Sequence, residues 1–180
     1  PNIVYAGTTK GLFRTANSGN TWERIGEGLK DPFVSSMLVN PAQPAQLYIG
    51  GPGGVWKSLD SGKTWQAINA GLTSLNIRSL AMSPRNPQDL FVGTNGSGLY
   101  HSTDGGTSWT AIVPDTLANG SDLTNAAFVS TSKGYAVGIM KALKFEVGNV
   151  TFQVKMNIKM REGGFLPGSG DKVSVKGSFN

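Results

Sequence analysis

Gly54-Val55-Trp56-Lys57-Ser58-Leu59-Asp60-Ser61-Gly62-Lys63-Thr64-Trp65 is the stretch that decides the fold. A short apolar run leads into a turn of small and acidic residues, and a tryptophan closes it. Two other stretches align with it without gaps: Gly11-Leu12-Phe13-Arg14-Thr15-Ala16-Asn17-Ser18-Gly19-Asn20-Thr21-Trp22 and Gly98-Leu99-Tyr100-His101-Ser102-Thr103-Asp104-Gly105-Gly106-Thr107-Ser108-Trp109. Ser58, Asp60, Gly62 and Trp65 thus correspond to Thr15, Asn17, Gly19 and Trp22, and to Ser102, Asp104, Gly106 and Trp109. The carboxylates of Asp60 and Asp104 are expected to accept backbone N–H groups of their own turns, as Asx-type turns do. Gly62 and Gly106 supply a backbone conformation that a Cβ opposes. The three tryptophans are expected to be buried equivalently between neighbouring units.

Further repeats lie upstream. Tyr5-Ala6-Gly7, Tyr48-Ile49-Gly50 and Phe91-Val92-Gly93 form one set, and Ser36–Pro41 and Ser79–Pro84 another. Each full unit reads as four short strands; in the second these are Val34–Val39, Gln46–Gly50, Val55–Leu59 and Thr64–Ile68. Four strands in a period of about 43 residues is the β-propeller pattern. Adjacent residues of the third strand, Val55 with Trp56 and Leu99 with Tyr100, are all apolar, which suits a blade packed on both faces. The expected class is all-β, with about three to four four-stranded blades: 1–28, 31–70, 75–113 and a partial unit at 122–138.

The phrase Ser/Thr-x-Asp-x-Gly-x-Thr/Ser-Trp is the Asp-box, or bacterial neuraminidase repeat. Residues 1–138 resemble the Asp-box propellers: sialidases, xyloglucanases, sortilin-type receptors and photosystem II assembly factors. The copies at Ser58–Trp65 and Ser102–Trp109 fit the pattern; the first carries Asn17 in place of Asp. The resemblance implies architecture, not a particular activity.

Residues 139–180 depart from the pattern. Thr151-Phe152 stands 43 residues after Ser108-Trp109, with Gly148-Asn149 as a hairpin turn, which describes a degenerate fourth blade. Alternation from Val150 to Met160 describes instead a long half-buried strand. The phrases Val150–Val154 and Asp171–Asn180 resemble the start of a secreted starch-binding-like β-sandwich module, the reading preferred here. Neither reading closes a ring. The first unit lacks its first strand, so a fragment or an assembling subunit is expected, with a partner's strands near 122–138, or further sequence, completing it.

Composition narrows the function. The 180 residues include no cysteine, which excludes disulfides, a cysteine zinc site and a thiol nucleophile. No apolar run is long enough to cross a bilayer as a helix. The net charge of +5 has no accompanying stripe of stacking aromatics, so nucleic acid is not an expected partner. The family resemblance implies an extracellular or periplasmic setting.

No catalytic, cofactor or metal constellation emerges. The arginines lie outside any sialidase-like phrase. With the box residues set aside, Glu23, Glu27, Asp31, Asp89, Asp115 and Asp122 remain in the propeller part, and none has an identifiable acid–base partner. Asp31, ahead of Pro32 at the start of a blade, is one candidate ligand contact, and Trp56 and Tyr100 are candidate stacking surfaces. His101 aligns with Arg14 and Lys57, which reads as a surface position for any cation. The reading is a non-catalytic module that binds a protein or glycan or serves as a scaffold. The alternative is part of a glycoside hydrolase with catalytic residues elsewhere.

Overall fold

The computed structural model describes residues 2–29 and 33–113, and beyond them the strands 123–128, 133–138, 142–146 and 153–155. All regular structure among them is β. Blade one holds β1 (Val4–Thr8), β2 (Gly11–Thr15) and β3 (Glu23–Ile25). Blade two holds β4 (Ser36–Val39), β5 (Leu47–Gly51), β6 (Gly54–Ser58) and β7 (Gln66–Ala67). Blade three holds β8 (Ile77–Met82), β9 (Leu90–Thr94), β10 (Leu99–Ser102) and β11 (Thr110–Val113). A fourth sheet follows from β12 (Leu123–Phe128), β13 (Lys133–Gly138), β14 (Ala142–Glu146) and β15 (Gln153–Lys155).

Each sheet is an antiparallel meander whose strands neighbour one another in chain order. This is a partial β-propeller. The first strands β4, β8 and β12 stand side by side, β8 between the other two. Among the described residues, no strand pairs with the inner side of β1. The strands near 122–138, expected to complete a partner's first blade, form one sheet with β14 and β15. Gly148-Asn149 and residues 156–180 lie outside the described residues.

The fourth strand of blade two is shorter than Thr64–Ile68. Both the N–H and the hydroxyl of Thr64 are bonded to Asp60, so the residue belongs to the turn and the ladder starts at Gln66.

The core lies between blades. Tyr48, Val55 and Ile68 of blade two meet Ile77, Leu80, Leu90, Val92, Tyr100 and Trp109 of blade three. Leu12 of blade one, Val34 of the linker and Ile49 of blade two form a second cluster, with Ile25, Trp56 and Trp65 packed against it. Each fully buried aliphatic side chain contributes about 1.5–3 kcal/mol. Both faces of the inner strands are covered, as in the wholly buried runs Leu47–Gly51 and Leu90–Thr94.

A repeated docking contact joins successive blades. A Cβ on Gly62 would lie 2.7 Å from Ile25 Cδ1, and one on Gly106 would collide with Ile68 Cδ1. Both glycines have φ of 87°, in the left-handed region, so turn geometry and close approach demand glycine together. The indole N–H of Trp109 donates to the Ile68 carbonyl at 2.7 Å.

The tryptophans are therefore not equivalent, contrary to the expectation from their alignment. Trp109 is 4% exposed, Trp65 is partly buried and Trp22 is 45% exposed. Burial comes from the preceding blade's isoleucine, and blade one follows no other described blade. Trp65 differs from Trp109 because its indole N–H bonds to Gly62 O in its own turn.

Acrylamide quenching of single-tryptophan variants at submicromolar protein should rank Trp22 as most accessible and Trp109 as least. Trp109→Ala should destabilise the fold by about 3–5 kcal/mol in urea titration, whereas Trp22→Ala should cost far less.

Candidate binding site

The box turns occupy one end of each blade. In blade two, Ser58 Oγ donates to Asp60 Oδ1 at 2.8 Å and accepts the N–H groups of Asp60 and Gly62 at 3.3 and 2.9 Å. The Asp60 carboxylate accepts the Thr64 N–H at 2.8 Å and the Thr64 hydroxyl at 2.6 Å. Ser102, Asp104, Gly106 and Ser108 repeat the arrangement in blade three. In blade one Asn17 Oδ1 accepts from the Thr15 hydroxyl and the Thr21 N–H, and its Nδ2 donates to Thr21 Oγ1. The amide thus reproduces the carboxylate's pattern with one donor reversed.

Bonds from Thr64 and Ser58 hold the Asp60 carboxyl at about 2, below its ordinary 3.8. Bonds from Ser108 and Ser102 do the same for Asp104, also at about 2. A second strained position precedes each box glycine. Ser18 and Ser61 have φ of 60° and 62°, and Gly105 has 68°. Sequence reasoning missed this position, although Gly105 in the third copy was the available signal.

The cations one place before the box are not plain surface residues. Arg14, Lys57 and His101 stand across the ladder from Tyr5, Tyr48 and Phe91. Lys57 Nζ sits 5.4 Å from the Tyr48 ring centroid and donates to Gly105 O in the next blade's box. Burial pushes the Tyr48 phenol up to about 12 and lowers the Lys57 ammonium, with Asp104 opposing that fall. His101 stacks on Phe91 with centroids 4.3 Å apart, and its Nε2 is 3.6 Å from Asp89 Oδ1. Burial lowers the His101 pKa, and Asp89 pulls the other way. Lys57 and His101 thus lie against the ring across the ladder, which removes them from the open surface.

At the opposite end of blade two, the turn between β5 and β6 meets the linker from blade one. Phe33, Ile49, Gly50, Gly51, Gly53, Gly54 and Trp56 line a shallow groove. Glycine at 51 lets the linker pass close, since a Cβ there would run into the Phe33 carbonyl. Trp56 is half-buried along the groove.

Tyr100, at the corresponding place in blade three, is 2% exposed, and its hydroxyl lies 2.5 Å from Thr73 Oγ1. It is core and offers no open ring for stacking. Asp31 lies outside the described residues. Glu23 is paired with Arg14 at 2.6 Å, and Asp89 is 7% exposed beside Asn86 and His101. Among the described residues, no three His, Cys, Asp or Glu side chains gather as a metal site.

The sequence profile of the Sortilin-Vps10 family, described as sortilin, neurotensin receptor 3, matches residues 10–119. The chain belongs to the Sortilin-Vps10 family. No curated protein matches this Sortilin-Vps10 chain by sequence. Three solved structures share its fold. An ancestral GH74 enzyme is 19% identical with a TM-score of 0.69, over 86% of this chain and 24% of that one. YCF48 bound to a D1 peptide is 19% identical with a TM-score of 0.65, over 87% and 52%. The extracellular domain of the putative hybrid two component system BT4673 from B. thetaiotaomicron is 14% identical with a TM-score of 0.72, over 88% and 21%. The Sortilin-Vps10 chain therefore spans about a quarter to a half of the first two, and about a fifth of the third. No helix among its described residues is long and apolar enough to cross a membrane.

Replacing both box carboxylates by the amide that blade one already uses, Asp60→Asn with Asp104→Asn, should preserve the fold and remove an acid transition. The folded-state pKa values lie below the ordinary one, so their stabilisation is present above about pH 4 and is lost as pH falls towards about 2. Urea midpoints compared at those two values should drop more for the natural protein than for the double variant.

Proposed function

We propose that this chain is a non-catalytic binding or scaffold module of an extracellular or periplasmic protein, and that its ligand is a protein segment. The observation that carries this reading is the engagement of four of the five acids whose side chains are described, Glu27 being exposed. Asp60 and Asp104 are consumed by their own turns, Glu23 by Arg14, and Asp89 is buried beside His101. Ser102 Oγ is committed to its box, which leaves no hydroxyl nucleophile beside His101.

The groove beside Trp56 is the proposed contact. It is shallow and presents the half-buried Trp56, a surface against which one side chain of an extended peptide would pack, with Asp31, two residues before Phe33 in sequence, as a further proposed contact. YCF48, which shares the fold, is described in a complex with a peptide, and the BT4673 domain as extracellular. Both descriptions lend support by analogy of architecture alone. The pairing of β14 and β15 with β12 and β13 favours assigning residues through 155 to the propeller as a fourth blade. The alternative, a piece of a glycoside hydrolase, has the GH74 likeness in its favour and lacks an acid–base pair among the described residues.

Incubation of the chain with xyloglucan, β-glucans and sialosides should yield no product; turnover abolished by a single carboxylate replacement would overturn the reading. A peptide array probed with the chain should return binders, and Trp56→Ala should weaken them by about tenfold or more. Binding indifferent to Trp56 would move the contact elsewhere.

A further inference from the structure

The turn between the second and third strands is closed by a threonine in two blades and not in the other. Thr8 directly follows Tyr5-Ala6-Gly7, and Thr94 directly follows Phe91-Val92-Gly93. Thr8 Oγ1 donates to the Gly11 carbonyl at 2.8 Å and accepts the Lys10 N–H at 3.1 Å. Thr94 Oγ1 donates to the Gly98 carbonyl at 2.9 Å and accepts the Ser97 N–H at 3.2 Å. One hydroxyl oxygen thus serves the carbonyl of the turn glycine and the N–H of the residue before it.

In blade two the residue after Tyr48-Ile49-Gly50 is Gly51, where the linker carbonyl of Phe33 leaves no room for a side chain. The equivalent backbone groups are the Gly53 N–H and the Gly54 carbonyl. Among the described residues, no side chain makes the two bonds that threonine makes in the other blades. Gly53 and Gly54 both line the groove, with the half-buried Trp56 beside them.

An N–H beside a carbonyl is a pair of opposite partial charges. Its complement is a group that accepts from the first and donates to the second. Among side chains, hydroxyls and carboxamides can do both, and blades one and three show that a single hydroxyl oxygen spans the pair. We propose that the groove beside Trp56 selects a threonine or serine of an extended partner segment, whose hydroxyl supplies from outside the two bonds that Thr8 and Thr94 make within their own turns. This rests on the groove being a peptide contact and names the residue it selects. The threonine methyl packs on Trp56, so threonine is favoured over serine. Valine has the same shape and no hydroxyl, and it covers both backbone groups without bonding either.

Short synthetic peptides with threonine fixed at the centre and varied flanks, arrayed beside matched sets carrying serine, valine or alanine there, test the proposal on the whole chain. Binders are expected chiefly in the threonine and serine sets. Valine in place of the central threonine of the tightest binder should weaken it by about tenfold, whereas serine should keep most of the affinity. Amide exchange followed by NMR should slow at Gly53 when the threonine peptide binds and not when its valine counterpart does. The decisive change is made in the peptide, so the result does not hang on the folding of a variant protein. Binding that needs Trp56 but treats valine and threonine alike, or that leaves Gly53 exchange unchanged, would overturn this proposal and leave the peptide reading standing. Peptide binders indifferent to Trp56→Ala, no peptide binders at all, or xyloglucan oligosaccharides binding in place of peptides would overturn both.

Discussion

The contact of a box glycine with the isoleucine of the preceding blade holds the architecture together. At Gly62 and Gly106 the backbone takes a left-handed turn and simultaneously admits Ile25 or Ile68 to van der Waals distance. An alanine there meets two penalties at once: strain from its φ, and collision with a neighbouring blade packed to native density. One residue therefore links local turn chemistry to long-range packing. The tryptophan three places later converts that contact into buried area.

The polar half of the box works on a shorter range. Ser58, Asp60 and Thr64 satisfy one another and the turn's backbone without reaching another blade. Asn17 shows that the geometry matters more than the charge, since an amide completes the same ring of bonds. The depressed acidity of Asp60 and Asp104 is the signature of that local satisfaction and not of poised chemistry. Inter-blade polar contacts come from other groups, among them Lys57 to Gly105, the Trp109 indole to Ile68, and the hydroxyls of Ser35 and Ser36. The Ser35 hydroxyl bonds Gly50 and Ile77 carbonyls, and that of Ser36 accepts the Leu80 N–H.

Much of this was legible in the residues. The spacing of Trp22, Trp65 and Trp109 defined the blades, and the apolar runs around Tyr48 and Phe91 marked strands covered on both faces. What was not legible depended on neighbours. Trp22 sits in the same local phrase as Trp109, so no pattern within its own repeat reveals that no described blade brings an isoleucine to it. The aligned Arg14, Lys57 and His101 read as exposed because charge alone does not say that a ring lies across the strand. Thr64 looked like strand because its side chain suits one, yet its bonds to Asp60 commit it to the turn. Among the candidate contacts, Trp56 and Tyr100 were indistinguishable by position. Thr73, lying against the Tyr100 hydroxyl, separates them.

The direction of the docking contact gives the chain a polarity. Box two rests on Ile25 and box three on Ile68, so each turn leans on residues synthesised before it. During translation the receiving surface is finished before the visiting glycine and tryptophan leave the ribosome. Growth from the amino terminus, which is how polypeptides emerge and how successive structural units generally form, therefore matches the order in which these surfaces become usable.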